Sequence, residues 1–226
     1  MRTSLSIEPA KAALLCIDLQ EEHRSDSRYL VEGFDGIVDR VRRIQDAARG
    51  AGVAVFHSAY VVDTAKPGRP FHPTMADGAS AFSDVNDPLS AICAEVGPAG
   101  DEMVLVKTDA STLAQGDVPL LFRAHGIEWI AVVGVWSEAC IAATVKDAVE
   151  MGFRVLLVKD ACGSGSTAMH QTAVLNMANR LYGGAVTDTD GACRLFAGET
   201  IDAWRVQGAV PLRFTYEDAG RIYEAL

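Results

Sequence analysis

Short apolar runs alternate with helical patterns along most of this chain, and that alternation limits it to a parallel sheet covered by helices. The runs span residues 12–17, 53–57, 103–106, 129–135 and 154–158. They are continuous rather than alternating, as strands buried on both faces must be. Between them, Ile37, Val41, Ile44 and Ala48 recur at helical spacing and stop at Gly50-Ala51-Gly52. Helical stretches are also expected over 118–125, 137–151 and 168–182, the first two closed by Gly126 and Gly152. A last edge strand is expected at 184–186. The pattern predicts an α/β, Rossmann-like three-layer fold with a mostly parallel, doubly wound sheet.

The 226 residues fit one domain, and a chain of this length buries enough surface to need no staples. Residues 61–101 are rich in Pro, Gly, Asp and Ser and read as a long excursion with one short helix near 89–95. Loops of that length in compact domains are often functional. Residues 200–226, with Pro211 and a weak helical pattern over 216–226, read as a C-terminal arm for a partner subunit.

The formal net charge of -10 argues against nucleic acid and anionic membrane surfaces as partners. No apolar run approaches membrane-spanning length. Residues 1–10 carry no signal-peptide pattern. The cysteines, Cys16, Cys93, Cys140, Cys162 and Cys193, are odd in number and irregular in spacing, with no C-x-x-C pair. A reduced, cytoplasmic protein is expected.

In open parallel sheets, ligands bind at the carboxyl ends of the strands. Asp18 follows the first predicted strand, Lys107 ends the third, and Cys140 lies just past the fourth at a helix start. A helix N-terminus and a nearby ammonium both favour a thiolate. An adjacent carboxylate is placed to accept the thiol proton and return it to a leaving amine. Backbone N–H groups before the cysteine are placed to hold an oxyanion. Cys16, Cys93, Cys162 and Cys193 read as packing residues.

The sequences around these positions carry a resemblance. Leu15-Cys16-Ile17-Asp18-Leu19-Gln20, Val106-Lys107 with Ser111 beyond it, Gly134-Val135-Trp136-Ser137-Glu138-Ala139-Cys140 with Thr144 four residues on, and Val158-Lys159-Asp160-Ala161 resemble the isochorismatase-like cysteine hydrolases. The likeness runs from about residue 11 to about residue 200. It implies Asp18, Lys107 and Cys140 as a catalytic triad. It implies a cis peptide at Val135–Trp136 and an oxyanion hole from the backbone of Trp136 and Cys140. Gln20, Trp136, Ser137 and His170 are the candidates for touching substrate. Trp136 and Ser137 stand where many members have a small residue and a threonine. His57, Asp63 and His72 do not reproduce the Asp-x-His metal pattern of some members, so no metal and no organic cofactor are expected. The resemblance implies hydrolysis of a C–N bond in a small amide, ureido or carbamoyl compound by a homo-oligomer, dimer or tetramer. Vinyl-ether hydrolysis and a non-catalytic binding protein are the alternatives; the retained cysteine argues against the first and the intact trio against the second.

Overall fold

The computed structural model describes residues 1–66, 71–114 and 116–226. Its centre is one eight-stranded sheet. The strands are β1 (Arg2–Leu5), β2 (Ala12–Ile17), β3 (Ala54–Tyr60), β4 (Met103–Lys107), β5 (Trp129–Val135), β6 (Arg154–Gly163), β7 (Ala185–Thr187) and β8 (Ile201–Trp204). Their order is β1-β8-β7-β6-β5-β2-β3-β4. Strands β2 to β7 pair in parallel, and β8 and β1 extend one edge antiparallel. The expected α/β, mostly parallel doubly wound sheet is what the chain forms.

The helices are α1 (Glu22–Ser25), α2 (Phe34–Gly50), α3 (Val118–Ala124), α4 (Ala142–Glu150), α5 (Thr167–Ala178), α6 (Thr189–Phe196) and α7 (Ala219–Glu224). Alternate residues of β2 feed opposite faces. Leu14 and Cys16 join the layer with α2 and α6. Ala13, Leu15 and Ile17 join the layer with α3, α4, α5 and α7. A strand's side chains alternate across the sheet, so a run apolar at every position fills two cores.

The winding reverses between β2 and β5, which are neighbours in the sheet but far apart in sequence. Such a switch point leaves a crevice at the strands' carboxyl ends. Gly134 lets β5 close on β2 there: it has φ +115°, and a Cβ on it would fall 2.0 Å from the Ile17 carbonyl oxygen. No L side chain fits that approach.

Several expectations are corrected. The predicted helix 137–151 divides into a π-helical turn, Ser137–Ile141, followed by α4. The helix near 89–95 is two 3-10 turns, Pro88–Ser90 and Ala94–Val96. Strands β1 and β8 and helix α6 were not foreseen. Two stretches of the expected C-terminal arm, β8 and the last turns, pack on their own protomer. In β8, Ile201, Ala203 and Trp204 are buried. In the last turns, Ala219, Tyr223 and Leu226 fill the layer beside α5. Apolar residues at those positions are more stable inside the chain's own core than waiting for a partner. Residues 67–70 of the excursion lie outside the described residues.

Candidate active site

Three strand ends meet at the switch point. Asp18 follows β2 with φ +52° and is 2 % exposed. Its Oδ2 accepts a hydrogen bond from Lys107 Nζ at 2.7 Å, and its Oδ1 one from Ser58 Oγ at 2.9 Å. Lys107 closes β4 and is 1 % exposed. Its ammonium also reaches the carbonyls of Asp109 and Ala110, both at 3.2 Å, and Cys140 Sγ at 3.3 Å. Charge-assisted donors and full pairing are what make a buried cation tolerable. The predicted trio is therefore one connected cluster, with Lys107 between the carboxylate and the sulfur.

Cys140 sits on the π-helical turn, half-buried, where Ala139 and Ile141 N–H groups both bond to the Trp136 carbonyl. The Val135–Trp136 peptide before it is cis, as the resemblance implied. The electrostatics differ from the expectation of a ready thiolate. Burial, and next the Asp18 charge, push the Cys140 thiol up to about 12 against the opposing pull of Lys107. Desolvation disfavours the thiolate more than one shared ammonium favours it.

The cavity over Cys140 has a volume of about 170 Å³. Its rim is aromatic: Tyr29, Tyr60, Phe82 and Trp136, with His23. Tyr29 stacks on Phe82 at 4.9 Å and tilts against Trp136 at 4.7 Å. The Trp136 indole N–H is buried without a hydrogen-bond partner among the described residues. Burial lowers His23 to about 4, and its ring lies against the backbone of Tyr29 and Asp18 without closing a hydrogen bond. A second hollow of about 410 Å³, lined by Val61, Val62, Phe71 and His72, shares Tyr60 with this cavity.

Of the four substrate candidates, only Gln20 and Trp136 line the cavity. The Gln20 amide is committed: its Nε2 donates to the carbonyls of Tyr60 and Ser90, and its Oε1 accepts from Tyr60 N. It straps the excursion to β2. Ser137 and His170 stand behind the turn. Ser137 Oγ donates to the Gly163 carbonyl and lies 2.7 Å from His170 Nδ1, while His170 Nε2 lies 3.0 Å from the Tyr223 hydroxyl. A hydroxyl already donating to a carbonyl accepts from the ring, which fixes the Nδ1–H tautomer. His57 Nε2 lies 2.9 Å from Glu102, and His72 Nε2 lies 2.6 Å from Ser80. Asp63 pairs with Lys66. The three therefore have separate partners. Among the described residues no group of three or more His, Cys, Asp or Glu is placed to hold a metal.

Sequence reasoning missed Ser58, Tyr29, Phe82 and Ser83. Ser58 lay within reach of the rule that found Asp18, since it stands near the end of β3. The others come from loops, where no period marks them. Thr144, noted in the cysteine motif, accepts from Thr112 N at 3.0 Å and pins the segment after Lys107 to α4.

An open α/β sheet that gathers an aspartate, a lysine and a half-buried cysteine at its switch point has the layout of a small-molecule enzyme. The chain belongs to the isochorismatase family: residues 12–191 match the isochorismatase domain. It is 28% identical over 194 residues to a maleamate amidohydrolase of Pseudomonas putida, covering 82% of this chain and 87% of that one. It is 23% identical over 207 residues to a ureidoacrylate amidohydrolase of Agrobacterium fabrum, covering 82% and 90%. A cysteine hydrolase from Pseudomonas syringae shares the fold, with a TM-score of 0.75 and 22% identity over 85% of this chain and 95% of that one.

Proposed function

We propose that this protein hydrolyses a C–N bond in a small amide, ureido or carbamoyl compound through a thioester on Cys140. The observation that carries the reading is Lys107 Nζ lying 2.7 Å from Asp18 Oδ2 and 3.3 Å from Cys140 Sγ. The relatives named as amidohydrolases support the bond type.

A thiol pushed up to about 12 is little ionised at neutral pH, so a base must act during attack. Asp18 is that base. Moving the proton from sulfur to Asp18 removes the negative charge that opposed the thiolate and leaves Lys107 to stabilise it. Sulfur then bonds to the substrate carbonyl carbon, and the oxygen gains the charge. The backbone N–H groups of Trp136 and Cys140 are the proposed oxyanion donors. Protonated Asp18 gives its proton to the departing nitrogen as the C–N bond breaks. Water, deprotonated by Asp18, attacks the thioester; the acid leaves and sulfur recovers its proton.

The test is ammonia release from a panel of small amides and ureides, wild type beside Cys140→Ala. Release by wild type and loss of at least 10³-fold in the variant is expected, with an acyl adduct on Cys140 in rapidly quenched samples. Equal rates in the two proteins, or no release from any compound, would overturn the assignment.

We also propose a homo-oligomer, dimer or tetramer, and, from the reduced cysteines, a cytoplasmic location. Edge strand β4 supports the oligomer by exposing Met103, Val104 and Val106. Exposed apolar edges are usually covered.

A further inference from the structure

Glu22, in the first turn of α1, is 2 % exposed and takes no part in the chemistry above. Both of its oxygens are used by one residue. Ser83 N donates to Oε2 at 2.8 Å, and Ser83 Oγ donates to Oε1 at 2.5 Å. Ser83 has φ +53° and lines the Cys140 cavity beside Phe82. The Ser83 N–H and hydroxyl both suit a carboxylate and oppose burial, which raises the Glu22 carboxyl above its usual value. The Glu22 carboxylate therefore stands behind the Ser83 wall of the cavity with no cationic partner of its own among the described residues, whereas Asp18 in the lining is paired with Lys107.

We propose that Glu22 makes this cavity selective for an uncharged, planar amide and excludes substrates that carry a carboxylate. The proposal rests on the C–N hydrolase reading and names its substrate class. Size comes first: an apolar cavity of about 150 Å³ holds a benzene ring, so about 170 Å³ takes a body of one small ring or a short planar chain. Shape follows from the flat faces of Tyr29, Tyr60, Phe82 and Trp136, which favour a planar body between them. Charge decides the rest. Among the described residues lining the cavity there is no arginine or lysine. Lys107 beside it is held by Asp18 and two carbonyls. The arginines next to Glu22 in the chain are committed elsewhere, Arg24 to Glu21 and Glu95, and Arg28 to Asp26.

The Tyr29 hydroxyl resists ionisation first through burial, and the carboxylates of Glu22 and Asp18 add to that resistance. A carboxylate on a bound substrate meets the same opposition. A cation is no better served, because the oxygens of Glu22 and Asp18 already hold Ser83, Ser58 and Lys107.

Fumaramide and fumaramate test this, being planar, equal in size and different by one charge. Wild type is expected to favour fumaramide at least tenfold in kcat/KM. Glu22→Gln, which keeps the shape, narrows that ratio at least threefold, whereas Glu22→Asp, which keeps the charge, preserves its direction. Equal or reversed preference in wild type, or a ratio unchanged in Glu22→Gln, overturns the proposal. Calorimetric binding of the two compounds to Cys140→Ala gives the same preference without turnover. Tenfold tighter binding of fumaramide with no hydrolysis by wild type sinks the hydrolase reading and leaves the charge selection standing. Binding of neither compound sinks the selection.

Discussion

Lys107 is among the largest side chains that the core encloses, and Asp18 supplies the opposite charge that its buried ammonium needs. Removing one partner of such a pair leaves a buried charge alone, which costs about 3–5 kcal/mol. Lys107→Met is therefore expected to lose both activity and about that much unfolding free energy in urea. Adding Asp18→Asn should restore part of the stability and none of the activity. A double variant no more stable than Lys107→Met would show that the pair is not coupled. Cys140 supplies a second prediction. Its thiol is held up to about 12 by burial and by Asp18. Alkylation of the substrate-free enzyme by iodoacetamide should rise about tenfold per pH unit from pH 7 to 10 without levelling. A plateau below pH 8.5 would mean that Lys107 wins over burial. The positions of Asp18, Lys107 and Cys140 were legible because each sits where a periodic pattern stops. The protonation of the sulfur was not, since it depends on how much water three separate loops exclude.

The π-helical turn is held from behind as well as from the strand. Ser137 bonds to Gly163 on β6 and meets His170 on α5, which in turn meets Tyr223 on α7. Burial lowers His170 to about 4, so it is a neutral spacer in this chain. Ser137→Ala leaves the Gly163 carbonyl and the His170 ring without that partner, a loss of about 1–3 kcal/mol. Hydrogen exchange should show faster opening of residues 137–141, and kcat should fall more than KM changes. Unchanged exchange there would argue that the strand alone fixes the turn. On the opposite edge, Glu102 joins α2 to β4 through Arg49 and also meets His57. Burial raises the Glu102 carboxyl, but Arg49, the Ala99 N–H and His57 outweigh it and leave it at about 2. The folded value lies below the unfolded one, so this stabilisation is full above about pH 4.5 and is lost as pH falls toward 2. Acid titration of stability should be shallower over that window in Glu102→Gln. Sequence patterns gave these helices their extents to within a few residues. They gave no sign of Ser137, His170 and Gln20 as struts, because a polar residue looks the same whether it faces a ligand or another loop.

The C-terminal segment closes the layer that carries α4 and α5. Lys159 on β6 donates to the Tyr223 carbonyl at 2.8 Å and lies 4.6 Å from the Tyr223 ring centroid. Arg2 on β1 reaches the Leu226 carbonyl at 3.1 Å. Deleting residues 219–226 exposes the contacts of Ala219, Tyr223 and Leu226, and burying one large apolar side chain is worth about 1.5–3 kcal/mol. A fall of about 3–5 kcal/mol in unfolding free energy is expected by urea titration, together with weaker activity through His170; full stability would mean that this segment is only draped on the surface. The order and kind of the central strands were decided locally. An apolar run with no alternation is stable only when covered on both sides, and the polar residue that ends it must then lie at the sheet's edge. Those two facts bring Asp18, Lys107 and Cys140 to one crevice. Which loops roof that crevice was decided only when distant surfaces met. Glu22 behind Ser83, the rings of Tyr29 and Phe82, and the antiparallel addition of β8 depend on contacts between segments with no shared period. Their energies come from burial and pairing in the assembled protein, and nothing in the local chain records them.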